Sequence, residues 1–241
     1  MKILELQTVR KYFGGIKAVE SFSLDVGEGD IVGLIGPNGA GKSTLFNCVA
    51  GVFPPTAGDI LFLGEKINGQ KPWDLCHKGL ARTFQIVKPF ASRSVLYNVM
   101  VGAFATTDKR SEAEKRAREV LQHLHMDDKK DQRAGNLTIA DRKRLEIARA
   151  LATRPKMLLL DEVMAGLRPT EVDEMVAIIK RLREGGMTIF VIEHIMRAIM
   201  ALSDRIAVLH FGTKIAEGSP QEIARDERVI KAYLGEDYGA A

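Results

Sequence analysis

Residues 36–43 read Gly-Pro-Asn-Gly-Ala-Gly-Lys-Ser, and no other stretch limits the fold of this chain so sharply. They fall between a β-forming run, Asp30–Ile35, and a run of helical habit, Lys42–Gly51. The pattern GxxxxGK[ST] between strand and helix is a phosphate-binding loop. Its glycines let main-chain N–H groups converge on phosphate oxygens. The helix that follows points its N-terminus, with orphan donors and a positive partial charge, at the same place. Lys42 is placed to neutralise β and γ oxygens, and Ser43 to set its hydroxyl on Mg²⁺. Gly36, Pro37, Asn38, Gly39, Ala40, Gly41, Lys42, Ser43 and Thr44 are therefore the candidate nucleotide-binding residues.

A second half of the same site lies far along the chain. Met157–Leu160 is an apolar run that ends in Asp161 and Glu162. A buried strand would deliver Asp161 at its C-terminal edge, where ligands bind in open α/β sheets. Asp161 is the candidate Mg²⁺ ligand, and Glu162 the candidate general base that polarises an attacking water. Taken alone, an apolar run before Asp-Glu is as often a plain strand end; the upstream phosphate loop makes the pairing specific. After the next β-forming run, Thr188–Ile192, come Glu193 and His194. A lone histidine is more often structural than catalytic. Its place at a third strand end marks His194 as a candidate for the γ-phosphate or the water.

The rest of the chain supplies a frame for these motifs. Ile3–Leu6, Phe22–Val26 and Ile60–Leu63 read as short strands, which suggests an antiparallel layer beside the main sheet. From about residue 90 to 153 the texture changes. Asp108–His125 and Leu145–Leu151 have helical spacing, so this segment reads as an all-helical insertion. Strand and helix alternate again afterwards: Met157–Leu160, Pro169 to about Glu184, Thr188–Ile192, His194–Leu202 and Arg205–His210, with a last helix capped by Ser219-Pro220. That rhythm predicts a mostly parallel sheet covered on both faces. The domain reading is one α/β unit over 1–241, with a core from 1–89 and 154–241 and the helical part at 90–153.

Bulk properties exclude several classes. The 241 residues suit one large domain. With 46% hydrophobic and 27% charged residues the chain is not of disordered composition. A net charge of +4 suits a polyphosphate or an anionic surface, is also ordinary for a protein surface, and is too small to argue for nucleic acid. Cys48 and Cys76 form no metal-ligand spacing and read as reduced thiols, Cys48 in the core. Met1–Arg10 lacks the apolar stretch of a leader, and no apolar run approaches a membrane span, so any membrane role is expected through a partner.

With these motifs in order, the chain resembles the ATPases of ABC transporters over nearly its whole length. The resemblance implies the ABC ATPase fold, a P-loop NTPase (RecA-like) core with an antiparallel β layer and an α-helical insertion. It implies ATP and Mg²⁺ as ligands. An aromatic residue before the phosphate loop stacks on adenine in that family; Lys11-Tyr12-Phe13-Gly14-Gly15 supplies it, with Phe13 favoured over Tyr12. The family's Q-loop glutamine resembles Gln85 in Arg82-Thr83-Phe84-Gln85, which implies contact with Mg²⁺ or the water and a hinge into the helical insertion. The family signature, LSGGQ, contacts the γ-phosphate held by the opposite subunit. Here it reads Leu137-Thr138-Ile139-Ala140-Asp141. Thr138 keeps the hydroxyl, Ala140 adds a methyl where glycine is usual, and Asp141 is expected to bring negative charge near the polyphosphate. Arg168 stands where the D-loop usually has Asp or Asn; it reads equally as an intersubunit contact and as an exposed structural arginine.

Three further stretches, Phe13–Val19, Ala81–Gln85 and Ile230–Gly235, resemble the ATPases of branched-chain amino-acid importers. That subfamily implies two transmembrane permeases, a second related ATPase and, indirectly, a periplasmic binding protein, at the cytoplasmic face of the inner membrane. The expected solutes are branched-chain amino acids or relatives such as small amides. The altered signature favours a heterodimer, with one composite site stronger than the other. The alternatives are the homodimeric ATPase of lipopolysaccharide export, whose ending Tyr233–Tyr238 also resembles, and a soluble ABC ATPase outside transport, which would carry a second ATPase half or added zinc or coiled-coil segments. Arg93, Lys109–Arg118 and the acidic ends of the C-terminal helix read as solvated surface.

Overall fold

The computed structural model describes residues 1–85 and 88–234. A long hairpin, β1 (Lys2–Phe13) and β2 (Ile16–Gly27), opens the chain. β3 (Ile31–Ile35) then leads through the glycine loop into α1 (Lys42–Val49). β4 (Ala57–Phe62), β5 (Glu65–Lys66), α2 (Pro72–Lys78) and β6 (Leu80–Arg82) follow. Next come three helices, α3 (Val95–Ala103), α4 (Arg110–His123) and α5 (Ile139–Ala152). Strands and helices alternate through β7 (Met157–Asp161), α6 (Pro169–Glu184), β8 (Thr188–Ile192), α7 (Met196–Leu202) and β9 (Arg205–His210). β10 (Thr213–Gly218), α8 (Pro220–Ile223) and α9 (Glu227–Leu234) complete the described chain.

Ten strands join in the order β5-β4-β1-β2-β10-β9-β3-β8-β7-β6. β9, β3, β8, β7 and β6 are parallel neighbours, as the strand–helix rhythm requires. The expected antiparallel layer is formed by β5, β4, β1 and β2, and it continues the parallel strands in one curled sheet. β10 folds back on β9, and its other edge meets β2 where Thr213 pairs with Ser21.

The parallel strands are buried on both faces, so alternate residues enter different cores. Ile31, Ile35, Leu158, Leu160, Ile189 and Val191 pack with Met175 and Ile179 of α6 and Ile199 and Leu202 of α7. Val32, Leu34, Leu159, Phe190 and Ile192 face the other way, toward Leu45, Phe46 and Val49 of α1. Leu4, Leu6 and Phe22 of the hairpin close over the same helix, so the sheet wraps α1 and fixes the direction of its N-terminus. Cys48 belongs to this core, and burial pushes its thiol up to about 11, which leaves it inert. Helices α3, α4 and α5 bury Val99, Ala117, Leu121 and Leu145 among themselves between β6 and β7.

Phe46 and Phe190 meet at 4.8 Å between ring centroids, and both are fully buried. This contact ties α1 to the central strand β8. Replacing Phe190 with alanine is expected to destabilise the chain by about 3–5 kcal/mol. Urea denaturation followed by circular dichroism measures the shift in midpoint; a change below about 1 kcal/mol contradicts this packing.

Candidate active site

The phosphate loop is formed by backbone that only glycine tolerates at two points. Gly36 has φ 155°, and a Cβ there would collide with the carbonyl oxygen of Leu209. Gly41 has φ 104°, and a Cβ there would meet the carbonyl oxygen of Ala18. The neighbouring β9–β10 turn braces the loop, since Gly212 N donates to Ala40 O at 2.9 Å. Lys42 curls back over the loop and donates to the carbonyls of Gly36, at 2.7 Å, and Pro37, at 3.0 Å. Burial lowers its pKa, and the nearby Glu162 and Asp161 charges work against that shift. A cavity of about 430 Å³ opens here, lined by Asn38–Thr44 together with Ile16, Lys17, Glu162 and Phe211.

Parallel pairing brings Glu162 to this cavity and Asp161 to the one beside it. Asp161 ends β7, is only 4% exposed, and accepts from Arg82 Nη2 at 2.8 Å. Arg82 also donates to Asn47 Oδ1 at 2.6 Å, which links β6, α1 and β7 in one chain of bonds. Glu162 follows with φ 48°, a left-handed conformation that costs an L-residue about 1–2 kcal/mol. Its amide donates to Ile192 O at 3.0 Å, and its carboxylate accepts from Gln85 Nε2 at 2.6 Å. His194 Nδ1 stands 3.9 Å from the same carboxylate. Glu162, Gln85 and His194 therefore gather beside Lys42, although they come from three different strand ends. Ser43, Asp161 and Gln85 also line one neighbouring cavity. These are hard oxygen donors, the type that Mg²⁺ takes together with substrate phosphates.

The signature segment departs from expectation. Thr138 is the N-cap of α5, and its Oγ1 accepts from Asp141 N at 3.1 Å. Asp141 folds back onto the same helix end: Oδ2 accepts from Thr138 Oγ1 at 2.9 Å and Oδ1 from Lys129 Nζ at 2.7 Å. The expected unbalanced negative charge is thus neutralised within the chain, because a buried carboxylate keeps a cationic partner. Ala140 is buried, so its methyl belongs to the helix packing. Thr138 and Ile139 form the exposed tip, with Ile139 59% exposed.

Three other candidates sit further out. Phe13 packs edge-on against Phe53 at 5.3 Å on the hairpin end, and Ile16 rather than Phe13 lines the phosphate cavity. Tyr12 bonds Glu20 Oε1 through its hydroxyl at 3.3 Å. Arg168 stands at the N-cap of α6, pairing with Glu171 at 2.8 Å while staying exposed. Arg82 and Lys143 sit inside motif-bearing stretches without a motif role of their own, and Lys129 and Phe211 lie outside every motif. Lys143 is buried and donates to Gln85 O and Glu162 O, both at 3.0 Å. Its only sequence signal is a lysine inside the packed stretch of α5.

Glycine loop, paired carboxylates and parallel sheet define a P-loop nucleotide-binding protein. A family profile described as ABC transporter matches residues 19–165, and one described as branched-chain amino acid ATP-binding cassette transporter matches residues 213–239. The high-affinity branched-chain amino acid transport ATP-binding protein BraF of Pseudomonas aeruginosa is 41% identical, over 97% of this chain and 98% of its own. The lipopolysaccharide export system ATP-binding protein LptB of Escherichia coli is 37% identical over 99% of both chains. A nucleotide-free ATP-binding cassette from an ABC transporter has a TM-score of 0.90 at 32% identity, covering 98% of this chain and 100% of that one. The chain belongs to the ABC transporter family and is an ATP-binding cassette of it.

Removing the Lys129 ammonium leaves Asp141 buried with one hydroxyl partner. Lys129→Ala is expected to destabilise the chain by about 1–3 kcal/mol. Asp141→Asn in the same chain should recover most of that loss. Thermal melts of the two single variants and the double variant measure the coupling; additive effects would mean that the pair is not formed.

Proposed function

We propose that this chain is the ATP-hydrolysing subunit of an importer for branched-chain amino acids or related small amides. The observation that carries this reading is the full-length likeness to BraF, joined to the matching C-terminal segment at 213–239. Among the described residues no helix is long and apolar enough to cross a membrane. The expected assembly has two permease subunits and a second, related ATPase at the cytoplasmic face of the membrane, with a periplasmic binding protein delivering solute. The exposed Ile139, in place of a glycine at the signature tip, supports pairing with a different ATPase that carries a regular signature. The 37% likeness to LptB supports a second reading, a homodimer in lipopolysaccharide export, less strongly than the 41% likeness supports import.

In this reading the phosphate loop, Gly36–Thr44, holds the ATP phosphates on main-chain N–H groups, and Lys42 draws charge from the γ-phosphate. Ser43, Asp161 and Gln85 would hold Mg²⁺, which would supply Lewis-acid charge to the phosphates. Glu162 takes the proton of the attacking water, and His194 with Gln85 orients that water between base and phosphate. Phe13 supplies the face for adenine at the hairpin end. Thr138 and the N-terminus of α5 meet the γ-phosphate held by the opposite subunit. The reaction then depends mainly on positioning and on charges set in advance.

Coupling to the permease needs a surface that feels the γ-phosphate. An apolar groove of about 330 Å³ lies between α2, β6, α3 and α5, lined by Val52, Leu75, Phe84 and Val101 among others. It opens beside Gln85, so a permease element seated there would move with the Q-loop. The surface around Gln85–Phe90 belongs to this coupling reading, and Ile86 and Val87 within it lie outside the described residues.

Glu162→Gln is expected to lower kcat about 100-fold or more while ATP still binds. Steady-state hydrolysis beside equilibrium binding of a fluorescent ATP analogue measures both; hydrolysis at the parent rate would remove Glu162 as the base. The same variant, tagged and purified from solubilised membranes with ATP, is expected to bring down two permeases and a related ATPase. Recovery with itself and export permeases would replace import by export. Recovery of no membrane protein would refute the transporter role.

A further inference from the structure

Lys143 is the least expected charge in this protein. It lies on α5, five residues after the N-cap Thr138, and is 6% exposed. Lysine is almost never buried without a reason, because its ammonium loses hydration and a methionine fills the same space without that loss. Here the ammonium has two partners, the main-chain carbonyls of Gln85 and Glu162, each at 3.0 Å. Burial lowers its pKa, and the charges of Glu193, Glu162, Asp161 and Glu146 oppose that shift.

The two carbonyls belong to residues whose side chains bond each other, Gln85 Nε2 to Glu162 Oε2 at 2.6 Å. The pair is therefore held twice: the amide and carboxylate meet in front, and Lys143 holds both backbones from behind. Glu162 needs such a hold. Its backbone is left-handed at φ 48°, and a released main chain would relax and carry the carboxylate with it. Its amide is already fixed to Ile192 O at 3.0 Å, so the Lys143 bond fixes the other side of the same residue. The helix that delivers Lys143 is the one whose first turn carries the signature.

We propose that Lys143 is a positioning residue for ATP hydrolysis, pinning the main chains of Gln85 and Glu162 so that the base and its amide partner face the phosphate loop together. The proposal rests on the assignment of Glu162 as the base. Lys143 itself does not contact the reacting atoms. It ties the helical segment between β6 and β7 to the catalytic edge of the sheet, so a shift of α5 is delivered to the base directly.

The test uses the full chain with MgATP and five variants: Lys143→Met, Lys143→Gln, Lys143→Arg, Glu162→Gln and the double variant of Lys143→Met with Glu162→Gln. Lys143→Met is expected to lower kcat at least about 30-fold, since a displacement near 1 Å costs roughly 100-fold, with KM for ATP within about threefold. Lys143→Arg keeps donors for both carbonyls and should return kcat to within about fivefold. Lys143→Gln should lie between them, and it carries the test if the methionine variant does not fold. The deciding readout is the double variant: once Glu162 is glutamine there is no base to position, so Lys143→Met should remove little further rate. An unchanged kcat in Lys143→Met would overturn the proposal. So would a loss that adds in full to that of Glu162→Gln, or an arginine variant no better than methionine. Full hydrolysis in Glu162→Gln alone would instead overturn the base assignment, and the positioning role with it.

Discussion

The parallel pairing of β3, β8 and β7, with β6 beyond, sets where every candidate reacting group emerges. Parallel strands leave the sheet on one edge. The glycine loop leaves β3 there, Asp161 and Glu162 leave β7, Glu193 and His194 leave β8, and Thr83–Gln85 leave β6. Nothing in the separate stretches requires them to meet. The alternating burial of these strands enforces the meeting, because slipping any strand by one residue would turn its apolar set from one core to the other. The curled sheet then wraps α1 and leaves its N-terminus no direction but toward this edge.

A second constraint is charge. Lys42, Arg82 and Lys143 stand among Asp161, Glu162 and Glu193, and most of these groups are buried. Each of these cations has named acceptors: Gly36 and Pro37 for Lys42, Asn47 and Asp161 for Arg82, Gln85 and Glu162 for Lys143. Glu193 uses one oxygen to accept from Met164 N at 2.8 Å, and burial raises its pKa. Such a network is rigid while its members are paired and costly once a member is lost. It holds the strand ends, the segment after Glu162 and α5 as one unit, which is the preorganisation that phosphoryl transfer calls for.

Much of this was legible in the sequence, for reasons of range. The glycine loop, the apolar run into Asp161 and Glu162, and the strand before His194 are local patterns, and local patterns predict local structure. The strands Thr188–Ile192 and Arg205–His210 matched residue for residue. Short or weakly patterned elements did not. Helix α2 buries Leu75 alone, so it has no readable apolar stripe, and β10 owes its strand form to pairing with β9. The helix expected from His194 starts at Met196, leaving His194 on the loop where it faces Glu162. Least legible were the long-range partners. Lys129 beside Asp141 and Lys143 behind Glu162 follow from packing, and the first of them neutralises the charge expected at the signature.

The account stands or falls on whether this chain's ATP hydrolysis drives solute inward. The direct measurement is uptake by proteoliposomes containing the assembly that co-purifies with the chain, loaded with ATP and offered radiolabelled leucine, isoleucine, valine and urea together with the binding protein. The account predicts saturable accumulation of at least one of these solutes, lost when Lys42 of this chain is replaced by alanine. Steady ATP hydrolysis with no accumulation of any of them would contradict it.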